Sequence, residues 1–278
     1  MANVPNFIPQ IWNAKIIREL ENNLVARKIA NMSYSGEIRQ KGDTVFFNSL
    51  SDPEVDDYSG TVSYGDLDDS QIAMVIDQAK YFAFNVDDID AVQANVDLRG
   101  SQAQRAAYQL ANTCDQYILG KYAEAANQIT DTSCDTSTIL SKIGEAGQKL
   151  SENNVPMQDR FLVIPPWVEL KLKLAGVEFK INDGLKSGQG GLSWAEELGF
   201  KIYVSNNLTN TASTPVTECL AMSGNAIAFA EQLMKTEAVR RDAEFATGVR
   251  GLHVYGAKVI KPKEMVRLTL TYTAETAI

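Results

Sequence analysis

A chain of 278 residues with 45% hydrophobic content is long enough for roughly two ordinary domains around a real core. Its formal net charge is −9 and no Lys/Arg cluster is longer than Arg240-Arg241, which argues against tight nucleic-acid binding through a basic stripe. No run of about 18 apolar residues exists, so no transmembrane helix is expected. One histidine and three scattered cysteines argue against a His-based zinc site or a disulfide frame.

The first residues, Met-Ala-Asn-Val-Pro-Asn-Phe-Ile-Pro, lack a basic n-region and an apolar h-region, so no secretory signal is expected. Without secretion the triplets Asn31-Met-Ser and Asn207-Leu-Thr carry no glycosylation meaning. Residues 6–30 read as an arm ending in a helix: Pro9 suits a first turn, and Trp12, Ile16, Leu20 and Leu24 recur every four residues on one face.

Residues 34–86 read as a long β-hairpin. Its outgoing run, 37–48, ends in β-branched and aromatic residues. Its returning run, 72–86, alternates in period two, with Ile72, Met74, Ile76, Phe82, Phe84 and Val86 in one phase. Between them lies an acidic, turn-rich stretch. Nine of the 35 Asp and Glu residues fall in 43–79, where there is no Lys or Arg. The rest of the chain is therefore balanced in charge. A two-stranded ribbon is marginal alone in water, so this one is expected to lie on another copy of the chain.

A long helix is expected over 98–129, because Ala103, Ala107, Leu110, Cys114, Ile118, Tyr122, Ala125 and Ile129 step by threes and fours. Residues 130–136 are expected to end it as a surface stretch. An alternating α/β region follows: a helix over 138–150, a buried strand at 160–166, a helix over 167–174 and a strand at 199–205. Strands at 218–222 and 226–230 flank a Ser223-Gly-Asn225 turn, and strands at 248–260 and 266–272 join through Pro262. Residues 184–191 read as a glycine-rich loop.

Chemistry is sparse. His253 lies in a strand without a G-x-S-x-G elbow and reads as a packed histidine. Cys114, Cys134 and Cys219 read as small buried hydrophobes of a reducing compartment. The glycine loop completes neither a dinucleotide fingerprint nor a P-loop. The carboxylate clusters Asp66/Asp68/Asp69 and Asp87/Asp88/Asp90 miss EF-hand spacing, so a solvated acidic tip or an intersubunit contact is expected rather than a metal. No catalytic residue, cofactor or metal ligand is assigned.

Several segments together resemble the major capsid proteins of tailed bacteriophages: Phe7-Ile-Pro-Gln-Ile-Trp12, Gly42-Asp-Thr-Val, Asp69-Ser-Gln-Ile, Ile76-Asp-Gln-Ala-Lys-Tyr-Phe82 and Val86-Asp-Asp-Ile-Asp90. Val163-Ile-Pro-Pro-Trp167, Tyr203-Val-Ser-Asn-Asn207, Ala228-Phe-Ala-Glu-Gln232 and Gly251-Leu-His-Val-Tyr-Gly-Ala-Lys-Val259 extend the likeness over nearly the whole chain. The resemblance implies an α+β fold of the Hong Kong 97 type. Its expected parts are an N-terminal arm (1–33), an extended loop (34–86), a peripheral domain with a spine helix (87–133), an axial domain with a central sheet (134–236) and a return to the peripheral domain (237–278).

It further implies a non-enzymatic shell protein that assembles as hexamers and pentamers into an icosahedral capsid around double-stranded DNA. The implied partners are a portal, a separate scaffolding protein and optionally a decoration protein, with assembly in the host cytoplasm and residence in the virion. An encapsulin-like nanocompartment shell is the alternative within the fold, and an acidic metal-dependent hydrolase the alternative outside it. Relatives that cross-link use a loop lysine, and 43–79 contains none. Intersubunit contacts are expected from the loop tip (Asp56, Asp57, Asp66, Asp68 and Asp69) to a basic docking strip (Arg99, Arg105, Lys258, Lys261 and Lys263).

Overall fold

The computed structural model describes residues 25–33, 42–50, 69–87, 98–176, 180–181, 192–195, 199–211, 216–240 and 246–274. The helical pattern expected over 6–24 and the glycine loop at 184–191 lie outside them. A short helix, α1 (Ala26–Ile29), opens the described chain, with Val25 and Ile29 buried. Asn31 then bridges to β11 (Ile227–Arg240): its N–H donates to the carbonyl of Ile227 and its carbonyl accepts from Phe229 N–H, both at 2.9 Å.

The hairpin is present at its base. Strands β1 (Thr44–Leu50) and β2 (Asp69–Val75) pair antiparallel from Thr44↔Val75 to Leu50↔Asp69. Alternation sets the faces: Val45, Phe47 and Met74 are buried, while Phe46 and Val75 point outward. The single returning strand expected over 72–86 is corrected to two. Pairing ends where Ile76 exchanges hydrogen bonds with Gly42 and Asp43, and the chain passes into β3 (Gln78–Asp87), an edge strand beside β12 (Ala246–Val259). The crossing is very close. A Cβ at Gly256 would lie 2.7 Å from the Val75 carbonyl oxygen and 3.0 Å from Ile76 Cα. Periodicity cannot report the break, because both strands keep the same phase through it.

Helix α2 (Leu98–Leu119) buries Ala107, Leu110, Ala111, Cys114 and Ile118, the phase expected for it. Its expected extension to residue 129 is corrected: a 3-10 turn, Gly120–Glu124, follows, and Asn127–Cys134 is strand β4 rather than a surface stretch. Gly120 is a poor helix former. Beyond it Gln128-Ile-Thr-Asp-Thr132 alternates, with Ile129 and Asp131 buried between exposed neighbours. The spacing of Tyr122, Ala125 and Ile129 continues the helical pattern because all three pack on the same core.

Two sheets organise the body. Three strands run in the order β11, β12, β3. The larger, mixed sheet has eight strands. It runs β4, β13 (Met265–Tyr272), β10 (Val216–Ser223), β5 (Arg160–Ile164), β8 (Phe200–Val204), β7 (Leu192–Ala195), β6 (Lys180–Ile181), with β9 (Asn210–Thr211) pairing to β10 off this path. Every residue of β5 is buried, as a central strand covered on both faces requires. Helix α3 (Ile139–Glu152) packs through Ile139, Ile143, Ala146 and Leu150, and α4 (Pro166–Leu174) through Val168 and Leu172. Proline at its first position suits α4, where no N–H partner is lost. Segment 237–278 divides between the sheets: through Val259 it belongs to the three-stranded sheet, while β13 lies inside the eight-stranded one.

Candidate functional site

The hairpin base is fixed to its own body by a small second core. Val45, Phe47, Met74 and Ile76 pack against Ala228, Ala230 and Val254 of the three-stranded sheet. That contact covers only part of this sheet face. Farther along it, in register with one another, lie Tyr81 opposite Leu252 and Ala83 opposite Arg250. Tyr81 is 78% exposed and Leu252 38%. Beside them Arg250 donates to Glu237 Oε2 at 2.6 Å, and these side chains border a depression of about 540 Å³. Exposed apolar side chains grouped around a depression make this face a candidate interaction surface. The sequence reading missed it, since the outward phase of β3 is fixed by its pairing with β12, and the only sequence signal was an aromatic residue at odd phase.

The expected contact residues fall in three places. Of the loop tip, Asp56, Asp57, Asp66 and Asp68 lie outside the described residues, and Asp69 begins β2 opposite Leu50. Of the basic strip, Arg99 and Arg105 lie in the first turns of α2, and Arg105 is exposed. Lys258, Lys261 and Lys263 gather at the turn between β12 and β13, beside the far end of α2. Fourteen helical residues between Arg105 and Leu119 correspond to about 21 Å. The five therefore form two basic groups, one at each end of α2. Within the second group, Lys258 lies 3.8 Å from Glu124 and Lys261 2.8 Å from Glu264.

Reactive side chains are shielded. His253 is 1% exposed and its Nε2 lies 3.1 Å from Glu231 Oε2, consistent with the packed histidine expected. All three cysteines are free and buried. Burial pushes their thiols up, that of Cys134 to about 11, with Asp131 adding to the effect. Such thiols are poor nucleophiles at neutral pH. Among the described residues no group of three or more His, Cys, Asp or Glu is placed to hold a metal ion, and no helix is long and apolar enough to cross a membrane.

Residues 70–268 match the family described as Phage capsid protein. The chain belongs to the phage capsid protein family. Nothing among curated proteins matches it, whereas solved structures match widely. A chain of Mycobacterium phage Che8 is 26% identical, with a TM-score of 0.69 over 88% of this chain and 91% of that one. The capsid of Ralstonia phage GP4 shares 13% identity at a TM-score of 0.67, over 90% of this chain and 88% of that one. A virus-like particle from Pyrococcus furiosus shares 14% identity at a TM-score of 0.62, over 94% and 99%. The fold of this capsid protein is accordingly the Hong Kong 97 type, and the chain is a major capsid shell protein, a structural component of the virion that self-assembles.

Proposed function

We propose that this capsid protein closes, as hexamers and pentamers, an icosahedral shell around the double-stranded DNA of a tailed phage, and that it has no catalytic role. The observation that carries the reading is the anchored base of the hairpin. Its base is packed on its own body, while residues 51–68 connect the two strand ends by a stretch rich in carboxylates. We assign helix α2 and the three-stranded sheet to the peripheral domain and the eight-stranded sheet to the axial domain. The expected boundary at 236 then shifts, and Met265–Tyr272 becomes axial. The loop tip docks on a neighbour, with the two basic groups and the Tyr81–Leu252 face as its receiving surfaces. A near-neutral body suits a container that must release its genome, since gripping phosphates takes clustered Lys and Arg. Portal, separate scaffold and optional decoration protein complete the partners, and assembly takes place in the host cytoplasm.

Replacing residues 52–67 by a short turn tests this reading. The β1–β2 ladder from Thr44 to Leu50 is retained, so circular dichroism should show a folded subunit while sedimentation shows no stable shells. Normal shells from the shortened chain would remove the loop tip from assembly. A shell that encloses enzymes instead of DNA would show protein cargo when purified from cells.

A further inference from the structure

Strand β3 closes one side of the three-stranded sheet with an open edge. Among the described residues β12 is the one strand paired with it, in unbroken register over the ten residues from Gln78 to Asp87, about 33 Å of backbone. The other open edges among the described strands are shorter or interrupted. β11 shifts register between Leu233 and Lys235 and is bridged at Ala228 by Asn31. β4 and β13 shift register between Leu270 and Tyr272. β1 and β2 have seven residues each, β6 and β9 two. Edges that must stay unpaired are blunted by Pro, by bulges or by charge. Tyr81-Phe-Ala-Phe-Asn-Val86 contains no Pro, Gly or charged residue, and the exposed Lys80 guards one end only.

The space beside this edge is open. A groove of about 340 Å³ is bordered by Phe82 and Phe84 of one strand phase, by Tyr81 and Ala83 of the other, and by Ala106 and Leu110 of α2. Side chains of one phase face one side of a sheet. A groove bordered by both phases therefore lies beside the strand, not above a face. Phe82 and Phe84 stack with ring centroids 6.1 Å apart, so its wall is aromatic. A helix seated there would bury the edge N–H and C=O groups without partners, which is costly. An extended strand fills the groove and pairs them.

We propose that β3 of one subunit pairs antiparallel with β3 of a second copy about a two-fold axis. The chain self-assembles, so a second copy is at hand, and the described open edge that matches β3 in length and regularity is β3 itself. An axis normal to the sheet keeps outward residues opposite outward residues, so it passes through a residue and not between two. Centred on Ala83, the pairing puts a small side chain on the axis and sets Tyr81 opposite Asn85. It also brings Phe82 of each copy against Phe84 of the other, a favourable aromatic cross-strand pair. Centred on Phe82, it would crowd two rings on the axis and oppose Lys80 to Phe84. The two sheets become one sheet of six strands. Contacts around a ring of subunits run head to tail, so this two-fold contact joins one ring to the next. That placement rests on the proposed hexamers and pentamers; the pairing itself does not.

Cysteine cross-linking in assembled shells of the full-length chain tests the pairing, since Cys114, Cys134 and Cys219 are buried. In Ala83→Cys the two thiols face each other across the axis, with Cα atoms about 5 Å apart, within disulfide reach. Mild oxidation should convert its subunits to covalent dimers on a non-reducing gel. Tyr81→Cys should give none, because the two copies of position 81 stand four residues apart along the ladder, about 13 Å. Adding Asn85→Cys to it should restore the link. Shells of Ala83→Cys that yield no dimer would overturn the pairing, and so would Tyr81→Cys shells that link equally well. If Ala83→Cys forms no shells, amide exchange of the native chain decides. Amides of β3 should be slower in shells than in the free subunit, and equal rates would overturn the pairing. A benzoylphenylalanine at position 83 that captures residues 51–68 would assign the edge to a neighbour's loop instead; that result would end the present proposal while leaving loop docking intact.

Discussion

At Glu218 a single carboxylate ties three parts of the chain together. Arg267 clasps it with a two-pronged hydrogen bond, both prongs at 2.7 Å, and Thr269 adds a third at 2.8 Å. The guanidinium lies 4.9 Å over the ring of Tyr122, so the 3-10 turn after α2 is held to the sheet through it. Burial alone would raise the Glu218 carboxyl, but the bonds from Arg267 and Thr269 outweigh it and hold the group below the ordinary carboxylate range. A folded-state pKa below the unfolded one stabilises the fold above the ordinary range, and that stabilisation is lost as pH falls through the folded value. Glu218→Gln should therefore cost about 1 to 3 kcal/mol near neutral pH and flatten the acid limb of thermal stability. A variant that melts like the native chain at neutral pH and still shows the full acid slope would contradict this account. Arg160 follows another logic. It has no carboxylate partner among its hydrogen bonds, yet its guanidinium donates to the carbonyls of Gly147, Val155 and Pro156 and to Ser151, closing the C-terminal end of α3. Cations suit that end of a helix.

Among the elements, the crossing of β2 over β12 decides how the hairpin leaves the body. Gly256 permits it because hydrogen is the largest group that fits beneath the Val75 carbonyl. Gly256→Ala should force the strands apart, costing about 1 to 3 kcal/mol as overpacking does. It should also expose Met74 and Ile76 at the second core, with the body's own sheet still intact. Near-native melting together with native protection of the β1–β2 amides would show that the crossing is not tight. The end of α2 illustrates the same dependence on context. Gly120 weakens the helix locally, but the strand after it exists because β13 offers a parallel partner from Val266↔Asn127 to Leu270↔Asp131.

For the whole molecule, the distribution of charge matters more than its sum. Residues 43–79 hold carboxylates without Lys or Arg, and the remainder is balanced. Each exposed pair formed on docking contributes about 0 to 1 kcal/mol, and a shell repeats that small contribution at every copy. Salt near 1 M shortens the screening length to about 3 Å. Shells should then dissociate more readily while the folded subunit keeps its melting temperature. Reversing Asp68 and Asp69 to Lys should impair assembly at low salt. If light scattering shows that shells of this variant form normally and ignore salt, the tip is held by Val55, Tyr58, Val62 and Tyr64, and the exposed Tyr81–Leu252 face is their natural counterpart.

What the sequence determined by itself was local and periodic. The buried phase of α2 at Ala107, Leu110, Cys114 and Ile118, the helix over Ile139–Glu152 and the apolar run Phe161 to Ile164 of β5 follow from spacing that any packing partner would exploit. The packed state of His253 and the burial of the cysteines follow from composition and from strand neighbours in the same way. Tertiary structure decided whatever depends on a distant partner. It split the returning strand at Ile76, because Gly256 lies 180 residues away in the chain. It made residues 127–134 a strand, because β13 pairs with them. It divided the basic strip between the two ends of α2 and gathered Arg27 and His253 around the carboxylate of Glu231. Periodicity records which face of an element is buried; the identity of what covers it is set by contacts between residues far apart in the chain.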